Sequence, residues 1–131
     1  MIAVDASVIA TALGDDESAG RAARLRLSGE RLVAPELVDL EVAAVFRRLS
    51  ASGAMPNERA SAAISDLYAL PIERVPHRDL IGRCWELRHN VTVYDASYVA
   101  VAELFGCTLV TADARLAGAP GSRCAIQLLT G

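Results

Sequence analysis

Ile2-Ala3-Val4-Asp5-Ala6-Ser7-Val8 sets an aspartate directly behind an uninterrupted apolar run. A short run with no polar alternation reads as a strand buried on both faces, the kind found inside a parallel sheet. A helical pattern follows from Ala6 to Leu13, and Gly14 stops it. Sheets of this kind bind ligands beyond the carboxyl ends of their strands, so Asp5 stands where a functional group would. Capping the helix behind it explains the same residue without any function. This stretch alone leaves both readings open.

The same alternation continues along the chain. An acidic start at residues 15–18 opens a second helix that ends at Gly29, and residues 31–34 make a second strand. Pro35 suits the first turn of a helix running to about Ser52, with Gly53 as its stop. Pro56-Asn57-Glu58 opens another helix to about Leu70, and residues 72–75 form a third strand. Pro76 precedes a helix expected through Trp85 to about His89, then comes a loop or extended piece over residues 91–94. Residues 95–105 read as a helix closed by Gly106, and residues 107–111 as a fourth strand. A short loop-helix holds Asp113 to Leu116, and residues 125–129 are the last strand. Some five strands alternate with six helices and no linker interrupts them. That is an α/β pattern with a mainly parallel sheet.

The 131 residues are expected to form a single domain over residues 1–131. The 13 basic residues are all arginine, because lysine is absent. No Walker A loop and no Schiff-base lysine is available, and a phospho-receiver site lacks its usual lysine. At 53% hydrophobic, with mean hydropathy +0.30, the chain can bury a core. Aromatics make up only 5%, so that core is mostly Ala, Val and Leu, and base-stacking platforms are not expected. No apolar run reaches the roughly 18–20 residues of a membrane span. The start has no basic region, so no signal peptide is expected. Cys84, Cys107 and Cys124 form no Cys-x-x-Cys, and the only histidines are His77 and His89, which argues against structural zinc. A net charge of −3 argues against a DNA-coating protein but not against a nuclease. Two divalent cations held by its acids would turn that sum to +1, so the placement of the acids matters more than their total.

Three more carboxylates look out of place. Glu41 lies within an apolar stripe of its helix, among Leu37, Val38, Ala44 and Val45, with no basic partner four residues away. A buried charge there needs a partner or a metal, unless it sits at the edge of the stripe. Glu36 and Asp39 fall on other faces and read as solvated or capping residues. Asp95 stands in Tyr94-Asp95-Ala96-Ser97-Tyr98, an echo of Val4-Asp5-Ala6-Ser7-Val8, and again a helix cap is the plain alternative. Asp113 follows a strand in Thr111-Ala112-Asp113-Ala114-Arg115, where an ordinary loop aspartate is the alternative. If the four converge, their mutual repulsion calls for hard divalent cations with oxygen ligands. Such a site can activate water for attack on a phosphoester.

These segments resemble the PIN-domain ribonucleases, and within them the VapC toxins of bacterial toxin–antitoxin pairs. The likeness rests on Ile2 to Val8, on Pro35 to Glu41 with the Val-Ala-Ala-Val behind it, on Tyr94 to Ala100 and on Leu109 to Asp113. It covers the whole chain. It implies a PIN-like three-layer α/β/α fold with a parallel five-stranded sheet in the order 3-2-1-4-5, which makes the first and fourth strands neighbours. It implies that Asp5, Glu41, Asp95 and Asp113 are catalytic and hold Mg²⁺, with Mn²⁺ able to substitute, Asp5 and Asp95 being the principal ligands. Ser7 and Thr111 match hydroxyl residues that orient the ligands, and Arg115 is the first candidate to hold substrate phosphate. Arg47 and Arg48 are candidates for partner binding. The implied reaction is endonucleolytic hydrolysis of RNA by metal-activated water.

The resemblance also implies a homodimer in the bacterial cytoplasm, away from membranes, silenced by a cognate VapB-like antitoxin. Apolar positions on the helices after Gly29 and Asn57 are candidates for that contact. The arginine-only, alanine-rich composition suggests a GC-rich genome. Three rivals differ in kind, one of them a purely structural α/β module. A phosphatase with an aspartate nucleophile needs Asp-x-Asp after its first strand, whereas this chain has Asp5-Ala6-Ser7. A catalytically idle PIN-like domain that binds RNA or a partner would be favoured by a missing acid, yet all four are present.

Overall fold

The structure, a computed structural model, describes residues 1–130. β1 (Ile2–Val4) is buried at every position and pairs in parallel on both sides. One neighbour is β2 (Leu32–Pro35) and the other is β4 (Thr108–Thr111). β3 (Ile72–Val75) extends the sheet beyond β2, and β5 (Ile126–Leu128) extends it beyond β4. The order is therefore β3-β2-β1-β4-β5, all parallel, as the resemblance implied.

The connections explain that order. α1 (Ala6–Gly14) and α2 (Ser18–Leu27) lead from β1 to β2, and α3 (Leu37–Ala51) and α4 (Asn57–Ala69) lead from β2 to β3. These four helices pack on one another as one layer. The chain then returns through a 3₁₀ turn (His77–Asp79), α5 (Ile81–Glu86) and α6 (Val93–Phe105) before entering β4. α5 packs on α6, and α6 lies against β1, β2 and β4. α7 (Ala114–Ala117) joins β4 to β5. The chain reverses its direction of travel between β1 and β4, which opens a crevice beyond their carboxyl ends.

The core is built as the composition requires. Ala3, Ala23, Ala34, Ala63, Ala96 and Ala102 are fully buried, so helices approach the sheet closely. Among the described residues only two aromatic side chains are buried, Tyr98 and Phe46. Val38, Val42 and Phe46 form the inward face of α3 at helical spacing. α6 is buried continuously from Ala96 to Ala102, because the sheet covers one side and α5 the other. Gly106 ends α6 at φ 64°, a left-handed conformation that a side chain would strain.

Several boundaries differ from the sequence reading. Pro35 closes β2 instead of opening a helix. It pairs only with Val75 of β3, beyond the reach of β1, so its missing N–H costs no ladder bond there. The helix expected after Pro76 and on to His89 divides into the 3₁₀ turn and α5, which stops at Glu86. Tight bonds from Asp79 N to Pro76 O and from Leu80 N to His77 O set that first turn. Val93 and Tyr94 belong to α6, not to a loop. With α7 counted, the described residues form seven α-helices.

Candidate active site

Asp5 stands one residue past β1, and its N–H still reaches Val110 O on β4 (3.4 Å). It caps α1, with Oδ1 accepting from Val8 N at 3.2 Å. The capping and functional readings therefore describe the same carboxylate. Its other partners are hydroxyls. Ser7 Oγ donates to Oδ1 at 2.6 Å and Thr111 Oγ1 donates to Oδ2 at 2.5 Å. Each hydroxyl also accepts a backbone N–H, Ser7 Oγ from Ala112 and Thr111 Oγ1 from Asp113, both at 3.0 Å. The two side chains thus tie the end of β1 to the end of β4 and hold Asp5 between them.

The other three acids meet Asp5 from three directions. Glu41 comes from α3, Asp95 from the first turn of α6 and Asp113 from the loop after β4. Asp5, Glu41, Asp95 and Asp113 all line one cleft of about 320 Å³, with Ser7, Arg48 and Tyr98. Burial pushes the Asp5 carboxyl above its ordinary range, and the charge of Asp113 adds to this. Burial likewise raises Glu41, with Asp95 and Asp5 adding repulsion, while the hydrogen bond from Tyr98 opposes the rise. Tyr98 is 2% exposed, and its hydroxyl donates to Glu41 Oε1 at 2.5 Å. Burial and Glu41 hold that phenol protonated far above the usual range, so it remains a donor.

The resemblance between the two aspartate segments is not structural. Asp5 caps its helix, but Asp95 lies inside α6, and Thr92 is the cap, accepting from Asp95 N at 3.1 Å. Ser97 does not repeat Ser7 either, because its hydroxyl donates to Tyr94 O. Asp113 does cap, accepting from Arg115 N at 2.9 Å to begin α7. The Arg115 guanidinium turns back onto the acids, with Nη2 2.7 Å from Asp95 Oδ2 and 3.1 Å from Asp113 Oδ2. Asp39, read as solvated, makes a two-point ion pair with Arg74 (2.7 and 2.9 Å) away from the cleft.

The cleft is not the largest cavity. A space of about 760 Å³ opens at the opposite ends of β4 and β5, lined by Cys107, Thr108, Cys124 and Ala125. Its one acid, Glu103, is already paired with Arg83 at 2.7 Å.

Residues 2–121 match the model of the PIN domain. The chain is 41% identical over 129 residues to Ribonuclease VapC9 of Mycobacterium tuberculosis (strain ATCC 25618 / H37Rv), covering 98% of each chain.

The chain belongs to the PIN-domain family, among the VapC ribonucleases.

Ribonuclease VapC1 of the same strain is 42% identical over 127 residues, 96% of each chain. Among solved structures, PAE2754 from Pyrobaculum aerophilum superposes with a TM-score of 0.70 at 26% identity, covering 97% of this chain and 83% of that one.

Two residues of this PIN domain's cleft escaped the sequence reading. Arg48 lines the cleft and makes no ion pair among the described residues, although partner binding was expected of it. It lies seven residues after Glu41, two helical turns on the same face, which was the available signal. Tyr98 stands three residues after Asp95 and so shares its face. Tyr98→Phe removes the donor on Glu41, lets burial raise that carboxyl further, and keeps the ring in place. Activity at neutral pH is expected to fall about tenfold. The acid limb of the pH–rate profile is expected to move to higher pH. An unchanged profile would show that Glu41 does not depend on this phenol.

Proposed function

We propose that this chain is the toxin of a toxin–antitoxin pair, an endoribonuclease that hydrolyses RNA phosphodiester bonds. The observation that carries this reading is the convergence of Asp5, Glu41, Asp95 and Asp113 from four separate elements on one cleft in a VapC-type PIN domain. An idle binding module has no use for four mutually repelling carboxylates, two of them buried enough to titrate high.

The donor set fits a hard divalent cation. It is all oxygen, with no His or Cys lining the cleft. Four carboxylates outnumber the two guanidiniums at the cleft, Arg48 and Arg115, and that excess of negative charge draws a divalent cation. Among the described residues no three of these acids form a ligand cage as they stand; hydroxyls hold Asp5 and Glu41, and Arg115 contacts Asp95 and Asp113. Asp5, Glu41, Asp95 and Asp113 would hold Mg²⁺ or Mn²⁺, with Asp5 and Asp95 as the principal ligands. When bound, the ion supplies charge to polarise water and the leaving oxygen.

The protein groups have distinct parts. Ser7 and Thr111 fix the direction of both Asp5 oxygens. Tyr98 holds Glu41 Oε1, which leaves Oε2 for a cation or for a proton from water. Arg115 and Arg48 offer guanidinium groups to substrate phosphates at the rim. Exposed Leu40 on α3 and Tyr68 on α4 offer apolar surface to an antitoxin, although most apolar positions of those helices are core. Ile81 and Trp85 on α5 and Tyr94 on α6 offer an apolar face for a second copy. No helix among the described residues is long and apolar enough to cross a membrane. The bacterial cytoplasm is the compartment this reading assigns.

The test is cleavage of total bacterial RNA by the purified chain with Mg²⁺ or Mn²⁺ and with EDTA. Fragments that appear with metal and vanish with EDTA are expected. Intact RNA from a folded chain under every condition, across transfer, ribosomal and messenger species, would turn the reading to a binding module.

A further inference from the structure

We propose that Arg115 is a built-in counterion of the cleft, filling the place between Asp95 and Asp113 that a divalent cation takes, so that metal loads only by moving Arg115 aside. This rests on the metal reading above and adds to it a competition within the chain. One nitrogen makes the case. Nη2 contacts Asp95 Oδ2 and Asp113 Oδ2 together, and these two pairs are the only ion pairs the four acids make among the described residues. Asp5 and Glu41 are satisfied by neutral hydroxyls, so Arg115 alone neutralises charge by direct contact.

The contact is made to be broken. The Arg115 side chain is 63% exposed while that of Asp95 is 19% exposed, so the guanidinium reaches in from solvent toward a half-buried carboxylate. Solvent-exposed pairs of this kind are weak and give way to a stronger competitor. A divalent ion brings twice the charge to the same oxygens. The backbone of Arg115 stays fixed, because its N–H is bound to Asp113 Oδ1 at the start of α7. A displaced side chain therefore pivots on a held anchor and remains beside the cleft. There its planar fork is free for a phosphate oxygen. The same residue first balances the acids and then meets the substrate.

The experiment is Mn²⁺ binding to the whole chain, read from the electron paramagnetic resonance of free Mn²⁺ at low ionic strength. Arg115→Gln is expected to bind Mn²⁺ about tenfold more tightly than the unaltered chain, because a competing positive charge has gone. Arg115→Lys, which keeps the charge without the fork, is expected to fall between the two. Added monovalent salt is expected to narrow the gap, since the competition is electrostatic. Without metal, Arg115→Gln is expected to melt slightly lower, and to gain more from saturating Mn²⁺. Equal Mn²⁺ affinity in the unaltered chain and Arg115→Gln overturns the proposal while leaving the metal site standing. No Mn²⁺ uptake by either overturns the metal site and the proposal with it.

Discussion

Asp5→Asn is expected to reduce RNA cleavage by more than ~100-fold while the protein keeps its fold. Loss of a residue that merely supports a ligand costs about 10- to 100-fold, and Asp5 is proposed as a principal ligand. The substitution preserves shape, so Ser7 and Thr111 can rotate their hydroxyls to suit the amide. Its effect on stability has a definite sign. The folded carboxyl titrates above its ordinary range because of burial. A raised acid contributes stability at low pH and loses it as pH rises from the ordinary value through the raised one. At neutral pH without metal, the ionised group therefore destabilises the fold, and Asn removes that cost. Asp5→Asn is expected to melt at or above the unaltered chain at pH 7.5, with the difference shrinking toward pH 5. Undiminished cleavage by the variant would remove Asp5 from the reaction. A collapsed melting transition would instead make it a structural cap.

How far the sequence speaks depends on whether a signal is local. Asp5 and Asp113 were legible because each stands within two residues of a strand's end, and strand ends in a parallel sheet define the binding edge. Glu41 was legible because a carboxylate interrupts an apolar stripe and so needs a partner, and the structure supplies a buried phenol in that role. Asp95 was reached partly through an echo that the fold does not honour, since Thr92 rather than Asp95 caps α6. Tyr98 looked like core and is core, so nothing local showed that its hydroxyl meets an acid 57 residues away. Arg115 stands beside Asp113 in sequence, but its grip on Asp95 depends on how α7 and α6 meet. Pro35 misled because proline suits both a helix start and the end of a strand, and the extent of the neighbouring strand settles which.

Phe46→Ala is expected to produce the opposite signature, a large loss of stability with the chemistry retained. Phe46 is 2% exposed and is one of two buried aromatics, so truncation removes a major block of the helical layer. Replacing a buried Phe with Ala costs about 3–5 kcal/mol, and for a chain of this size that lowers the melting temperature by roughly 10–20 °C. Little can fill the hole. A side chain at Gly14 on α1 would stand 2.5 Å from Phe46 Cε1, so the glycine marks where α1 and the ring already meet and has nothing to extend inward. Met55 is close by and flexible, which places the cost toward the lower end if it relaxes into the gap. The functional consequence follows from α3. Val38 and Val42 still seat the turn that carries Glu41, five residues before the lost ring. Cleavage measured well below the new melting temperature is expected to stay within about tenfold of the unaltered chain, since only supporting packing has changed. An unchanged melting temperature would mean that Phe46 does not seat α3. A melt that falls as expected, with activity lost even in the cold, would mean that Glu41 is positioned by the whole helix rather than by its own turn and Tyr98.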